Sequence, residues 1–279
     1  MLFRSNDVKY MIKVFQKTHT GFMPHAATPA KESAVPYEER KYSLLLTDDY
    51  EDPDISFKQL STVFAEDTPL YHAFRESYEL MKEKSKLTVI EAFDEILDKY
   101  DIILSLIDKI MLYQNSMYTE IAIQNYFRGK VVETVADSGL DIWIAGRGWE
   151  NHPSFGKPNV HILSDVHNYA DRLKCMADAK INLNVMPWTK DGSSEKIFNS
   201  LLRDALPLTD PTKWLLHNLV PEKETAYFNL NELEKIPKIV KHYLASPDEA
   251  KTVIEAGKKK VEDKWTWEHV ADRILGLRS

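Results

Sequence analysis

Residues 181–210 read INLNVMPWTKDGSSEKIFNSLLRDALPLTD. An apolar run, INLNV, is followed by a polar turn, an amphipathic run over about residues 195–204 and a second apolar run, ALPLTD. This order predicts two parallel strands joined by a crossover helix. The polar turn then falls at the carboxyl end of a buried strand, which is where ligands bind in open α/β sheets.

The alternation of strand and helix continues on both sides of this stretch. DIWIAG and NVHIL precede it, TAYFNL follows it, and helical patterns cover residues 118–139, 172–179 and 212–219. The first of these helices ends at Gly139, a residue typical of helix C-caps. KYSLLLTD, near residue 41, adds one more strand. The chain is therefore predicted to be an α/β protein with a Rossmann-like, doubly wound parallel sheet.

Three segments depart from this alternation. Residues 1–40 contain three prolines within HTGFMPHAATPAKESAVPYEER, which breaks any periodicity and predicts an extended linker. Residues 56–112 show helical periodicity only, so we expect an insertion of two or three helices into a domain spanning residues 41–279. The sequence after about residue 230 is nearly all helical, with interruptions predicted at Pro247 and Gly257.

Composition excludes several classes of protein. The net charge is −7 and the pI is near 5.8, whereas a nucleic-acid or anionic-membrane surface needs clustered excess Lys and Arg. No apolar run reaches the ~18 residues that a membrane-spanning helix needs. The single cysteine, Cys175, lies in a helical pattern and is expected to be half-buried. We therefore expect a cytoplasmic protein that does not bind nucleic acid.

The first loop expected at the carboxyl edge of the sheet is GRGWENHP, after DIWIA. Gly146 and Gly148 permit a close backbone approach, Arg147 supplies a cation, and Trp149 supplies an aromatic platform. A tight turn that packs its tryptophan explains the same residues equally well.

The second loop is the turn in residues 181–210. Ser193 or Ser194 is expected to cap the following helix, whose first amides then face the loop. Lys196 falls in the first turn, where a cation is unfavourable against the helix dipole unless an anion lies nearby. Lys196 shares a polar helix face with Asn199, Ser200 and Arg203, and simple solvation of that face is the alternative interpretation.

The quoted residues carry a resemblance to a known family. Four segments resemble the donor-binding half of GT-B glycosyltransferases, most closely the spore-maturation (CgeB-like) group. They are LNVMPWTKDGSSEKIFNSLLRDALPLTDPTKWLL, NELEKIPKIVKHYL, SPDEAKTVIEAGKKKV and WTWEHVADRIL. YFRGKVVETVADSGLDIWIAGRGWE also fits, and FMPHA and KYSLLLTD fit more loosely. The resemblance covers roughly two thirds of the chain.

The resemblance implies a metal-independent glycosyltransferase of the hexosyl type that needs no cofactor beyond its nucleotide-diphosphate sugar. Lys196 would meet the donor diphosphate and, with Arg147, stabilise the leaving group as the catalytic pair. Asn199 would meet the ribose, and FMPHA would place His25 on the acceptor side. The remaining donor-binding residues implied are Gly146, Gly148, Trp149, Ser193, Ser194, Glu195 and Asp210. Asp48 and Asp49 are expected to form a solvated turn rather than a metal site.

Some residues differ from the family pattern. Lys196 replaces the usual Arg, Asn199 replaces an acidic residue, and Asp204 stands at the place of a glycine. Residues 1–40 resemble the end of an N-terminal domain, so the chain is expected to lack its acceptor domain and to need a separate one as partner. The alternative is a degenerate, non-catalytic nucleotide-binding or protein-interaction domain, with residues 56–112 as its surface. A sugar-nucleotide epimerase is a weaker third choice, because no GxGxxG follows the first strand.

Overall fold

The computed structural model describes residues 2–3, 21–32 and 35–276. Residues 4–20 of the expected linker lie outside the described residues, and the described segments on either side of them form a two-stranded parallel sheet. All other strands belong to one sheet. The strands are β1 (Leu2–Phe3), β2 (Gly21–Phe22), β3 (Tyr42–Leu46), β4 (Ile142–Ile144), β5 (Val160–Ile162), β6 (Ala179–Asn184), β7 (Leu206–Thr209) and β8 (Ala226–Tyr227).

The helices surround the larger sheet. The inserted segment and the crossover into β4 supply α1 (Pro53–Leu60), α2 (Pro69–Glu83), α3 (Val89–Lys99), α4 (Leu106–Gln114) and α5 (Met117–Asp137). The strand crossovers supply α6 (Tyr169–Ala177), α7 (Glu195–Leu202) and α8 (Lys213–Asn218). The C-terminal part supplies α9 (Ile236–Ala245), α10 (Pro247–Lys264) and α11 (Trp267–Ile274).

The larger sheet has the strand order β5-β4-β3-β6-β7-β8, and every pair is parallel. This confirms the Rossmann-like, doubly wound fold. Alternate residues of β3 face opposite layers, because Leu44 and Leu46 join the core under the inserted helices while Leu45 packs with Leu173 of α6. From β3 the chain adds β4 and β5 on one side of the sheet and then returns to add β6, β7 and β8 on the other. The loops after β3 and β6 therefore diverge and leave a crevice between them.

The inserted segment contains four helices, α1–α4, where two or three were expected. Each begins at its own side-chain cap: Asp52, Thr68, Thr88 and Ser105 accept a hydrogen bond from a backbone N–H of the first turn. Thr88 and Glu91 complete a capping box. Sequence periodicity predicts too few helices here because the helical spacing of apolar residues continues through the short turns. The N-cap residues, not the apolar spacing, mark where each helix begins.

The C-terminal helices correct a second expectation. Pro247 begins α10 as predicted, but Gly257 lies inside that helix and does not interrupt it. A Cβ at residue 257 would overlap the carbonyl oxygen of Glu224 and crowd Leu201. The glycine therefore allows α10 to pack closely on α7 and the turn before β8.

The polar face of α7 is buried, so the solvated-face interpretation is wrong for three of its four residues. Asn199, Ser200 and Arg203 are all buried. The extended segment 26–32 covers them, since Arg203 donates to the Thr28 carbonyl oxygen at 3.1 Å and pairs with Glu32. Asp204 adopts φ +56°, which fits the turn that the family fills with glycine.

Within the described residues, no helix is both long and apolar enough to cross a bilayer.

Candidate functional site

The crevice at the β3–β6 switch point is bounded by three loops. They follow β3 (residues 47–50), β4 (residues 145–149) and β6 (residues 185–194), and the last leads into α7. Most of the residues predicted from the two polar loops therefore meet at one edge of the sheet. Ligands of doubly wound domains occupy this position.

Asp48 lies at the centre of the crevice and is only 2% exposed. Its carboxylate accepts hydrogen bonds from the Lys196 ammonium and the Arg128 guanidinium. Lys196 also donates to the Thr47 carbonyl oxygen at 3.1 Å. The expectation of a solvated Asp48–Asp49 turn is therefore wrong for Asp48, because two basic side chains from distant helices bury it.

Asp49 gathers a second set of basic groups. Its carboxylate accepts the Arg147 backbone N–H at 2.9 Å, the Arg147 guanidinium at 3.3 Å and Arg172 at 2.5 Å. Arg147 remains 87% exposed, so one side of it is open to solvent. Four cations thus surround two carboxylates and leave a surplus of two positive charges.

Arg128 and Arg172 were not predicted as site residues. They lie on α5 and α6, in helical patterns where a charged residue usually marks a solvated face. Only the pairing of β3 with β4 and β6 brings these helices to the loop after β3. A sequence signal was available for Arg128 alone, since it falls inside the quoted resemblance YFRGKVVETVADSG.

Burial and neighbouring charges shift the pKa values of Asp48 and Lys196 in opposite directions. Burial alone would raise the pKa of Asp48, but Arg128 and Lys196 outweigh it and hold that pKa below its ordinary value. Burial lowers the pKa of Lys196, and the Asp48 charge offsets this only in part. The ion pair therefore holds Asp48 ionised inside the protein.

The loop after β4 packs tightly against the loop after β3. A Cβ at Gly146 would overlap the Asp48 carbonyl oxygen, and Gly148, with φ +82°, approaches the Tyr50 carbonyl in the same way. Trp149 is 1% exposed, stacks on Tyr50 with 4.9 Å between ring centroids and donates its indole N–H to the Asp48 carbonyl oxygen at 2.7 Å. The tight turn with a packed tryptophan is therefore correct, and the exposed aromatic platform is not.

Ser194 caps α7, because its hydroxyl accepts the Lys196 backbone N–H at 3.3 Å. Ser193 is buried, and its hydroxyl has no hydrogen-bond partner among the described residues. Both serines line a cavity of about 230 Å³ together with Glu195 and His25. The His25 ring nitrogen Nδ1 lies 3.8 Å from the Glu195 carboxylate. The structure thus brings His25 to the start of α7.

A second cavity, of about 500 Å³, is lined by residues of the charged cluster. Arg128, Arg147 and Gly148 line it, along with polar side chains of α5 such as Asn125. The second cavity thus adjoins the charged cluster directly, whereas the first adjoins it through Ser194 and Glu195, the residues before Lys196.

Asn199 is fully buried between the covering segment and α6. Its side-chain oxygen accepts the Thr28 backbone N–H at 2.8 Å, and its amide donates to the Tyr169 hydroxyl at 2.8 Å. Both ends of the amide are therefore engaged by the protein itself.

Asp210 follows β7, one strand further along the sheet, and lines neither of the two cavities. Its carboxylate accepts the Met186 backbone N–H at 2.7 Å. Burial raises the pKa of Asp210 to about 6. Asp210 lines a different cavity, together with Lys190. The described residues contain no group of three or more His, Cys, Asp or Glu side chains suited to a metal ion.

A switch-point crevice with four clustered basic side chains and a helix N-terminus is typical of α/β domains that bind a phosphate-bearing ligand. The chain belongs to the glycosyl transferase-like family, whose sequence profile matches residues 128–276, more than half of its length. None of the curated proteins matches the chain in sequence.

Solved structures share the fold at low sequence identity. Sucrose-phosphate synthase of Thermosynechococcus elongatus is 11% identical, aligns over 99% of this chain and 56% of its own, and has a TM-score of 0.52. TarM of S. aureus is 10% identical over 99% of this chain and 42% of its own, with a TM-score of 0.50. Anabaena HepE in complex with UDP-glucose is 10% identical over 53% of this chain and 43% of its own, with a TM-score of 0.44. The chain spans little more than half of these structures or less, and the fold is that of GT-B glycosyltransferases.

Proposed function

We propose that the chain binds a nucleoside diphosphate sugar at the β3–β6 crevice and serves the donor side of glycosyl transfer. The observation that carries this proposal is the surplus of two positive charges around Asp48 and Asp49, next to the capped N-terminus of α7. A diphosphate needs such a surplus, and backbone amides at a helix start add to it. Membership of the glycosyl transferase-like family supports the same assignment.

The proposed chemistry follows from the leaving group. Breaking the bond between the anomeric carbon and the phosphate develops negative charge on the nucleoside diphosphate, and cations placed beforehand stabilise that charge. Lys196 and Arg147 are the proposed catalytic residues for this role, with Arg128 and Arg172 holding the two aspartates in place. Lys196 and Arg147 would then match the charge of the diphosphate, so we propose that neutralising it requires no metal ion or other cofactor. A hexosyl donor belongs to the same proposal, whereas Asn199 is fully buried with both ends of its amide bound by the protein and is therefore not placed to contact the ribose.

The acceptor side is proposed to come from a separate domain, with His25 at its boundary. The chain covers 56% or less of the related structures above, so the acceptor and the complete activity are part of this proposal. The narrower kinship with the CgeB-like spore-maturation group and the cytoplasmic setting rest on the sequence alone. We expect the isolated chain to bind nucleotide but to turn over poorly, and robust sugar transfer by the purified chain without a partner would overturn this part.

A second candidate is a degenerate domain that does not catalyse transfer. Two observations favour it: the Lys196 ammonium is already paired with Asp48, and both ends of the Asn199 amide are bound by the protein. A donor would have to compete with these internal partners.

Calorimetric titration with UDP- and GDP-sugars separates the two candidates. Wild type, Lys196→Ala and the exposed-lysine control Lys238→Ala are compared. The donor-site proposal predicts saturable binding by wild type and by Lys238→Ala, and binding weakened by roughly tenfold or more in Lys196→Ala. Absence of binding by all three, or equal binding by all three, would contradict it.

A further inference from the structure

A larger cavity lies outside the proposed donor site, at the carboxyl ends of β7 and β8. Its volume is about 590 Å³, within the range of about 300–1,000 Å³ that is usual for small-molecule sites. It shares no lining residue with either of the cavities beside Asp48. We call it the β7–β8 pocket and define it by its floor, Phe228, Leu230 and Ile239, and by its rim, Lys86 and Lys213.

The floor and walls of the β7–β8 pocket are mainly apolar. Phe228 and Leu230 are buried, and Leu216 of α8 adds an exposed apolar side chain at the edge. The hydroxyl of Tyr227, another lining residue, donates to the Leu219 carbonyl oxygen at 3.2 Å, which leaves its ring as the surface it offers. An apolar group that enters the pocket would therefore leave few of the pocket's polar groups without a hydrogen bond.

The charges around the pocket are mainly positive. Four lysines and two carboxylates line it, which gives a local surplus of two positive charges in a chain whose net charge is −7. Glu232 is paired with Lys235, and Asp210 accepts the Met186 N–H, so the carboxylates are partly occupied. The lining lysines are Lys86, Lys190, Lys213 and Lys235.

The inserted helical segment completes this pocket. Ser85 and Lys86, between α2 and α3, form one side of it. The Lys190 ammonium donates to the carbonyl oxygens of Ser85 and Pro187, and so joins the insertion to the loop after β6. The Thr212 hydroxyl donates to the Gly192 carbonyl oxygen at 2.5 Å, which fixes the opposite side.

We propose that the β7–β8 pocket binds a small molecule with an apolar body and one carboxylate or phosphate group. The apolar body lies on Phe228, Leu230 and Ile239, and the anionic group meets the lysines of the rim. This site lies outside the proposed nucleotide site, because it shares no lining residue with either cavity beside the Asp48 cluster; the two are linked electrostatically, since the Arg128 charge acts on Asp210.

Calorimetry with decanoate, decanol and decylamine tests the charge and the apolar body separately. We expect saturable, one-site binding of decanoate, weaker binding of decanol by roughly tenfold or more, and no binding of decylamine. Equal affinity for decanoate and decanol, or tighter binding of decylamine, would overturn the proposed class of ligand.

Two variants test the location. Leu216→Trp, at the exposed edge, should block decanoate, and Lys86→Glu with Lys213→Glu should weaken it by roughly tenfold or more. The matched control is Lys109→Glu with Lys259→Glu, which reverses two exposed lysines away from the pocket and should leave decanoate binding unchanged. Decanoate binding that all three variants retain would place the ligand elsewhere and overturn the proposal. Unchanged thermal melting confirms that each variant is folded.

Discussion

Lys196 donates a hydrogen bond to the buried carboxylate of Asp48, which lies 148 positions earlier in the sequence. The pair joins the loop after β3 to the start of α7 and so spans the switch point of the sheet. Arg128 binds the same carboxylate from α5. The cations of the proposed donor site are therefore held in place before a ligand arrives.

We expect Asp48→Asn to lower the free energy of unfolding by about 3–5 kcal/mol, because it leaves buried cations without their charge partner. Asp49→Asn is the matched control: Asp49 is half-exposed, and its loss should cost only about 1 kcal/mol. Urea denaturation of both variants at pH 7 measures the difference. A smaller loss for Asp48→Asn than for Asp49→Asn would contradict the central role of the Asp48 pair.

The same pair makes stability depend on acid pH. The pKa of Asp48 is lower in the folded protein than in the unfolded chain, so its stabilising contribution is present above pH ~4 and is lost as pH falls through the folded value. Below pH ~4, Asp48→Asn and wild type should therefore converge in stability. A difference in unfolding free energy between them that persists as the pH is lowered would show that the Asp48 charge does not cause it.

The pKa of Asp210 is shifted in the opposite direction to that of Asp48, so its effect on stability has the opposite dependence on pH. Its pKa of about 6 lies above the unfolded value of ~3.9, so the folded state binds more protons between these values and loses stability as pH rises from about 4 to about 6. Asp210→Asn keeps an oxygen for the Met186 N–H but removes the charge. We expect it to gain up to about 3 kcal/mol on wild type between pH 4 and pH 7, as measured by urea denaturation. Asp263→Asn, on the exposed surface, should show no such trend, and a gain independent of pH would disprove the assignment.

Gly257→Ala tests the close packing of α10. Alanine normally favours a helix, but here its Cβ would overlap the Glu224 carbonyl oxygen, so we expect a loss of about 1–3 kcal/mol. Lys259→Ala, on the exposed face of the same helix, should be nearly neutral or slightly stabilising. If Gly257→Ala proved as stable as Lys259→Ala, the close approach would not constrain the helix.

Local patterns in the sequence predict the fold well. Alternating apolar and helical runs define the parallel sheet, and Gly139 and Thr212 mark a helix end and a helix start where expected. Gly257 misleads, because its intrinsic helix-breaking tendency is outweighed by a tertiary contact with the turn before β8.

The site is less predictable than the fold. Ser193, Ser194 and Lys196 are close in sequence, and their polar pattern before an amphipathic helix marks them as a group. The burial of Asp48 and the arrival of Arg128 and Arg172 depend on strand pairings that no local pattern encodes. The β7–β8 pocket likewise depends on contacts between the insertion and distant loops.

The preference of the protein for UDP over UMP tests the central claim most directly, because the two ligands differ only in the second phosphate. Calorimetric titration of wild type and Lys196→Ala with both nucleotides measures this preference. The account predicts that wild type binds UDP at least roughly tenfold more tightly than UMP, and that Lys196→Ala loses most of this difference. Equal affinity of wild type for UDP and UMP, or a preference that survives intact in Lys196→Ala, would contradict it.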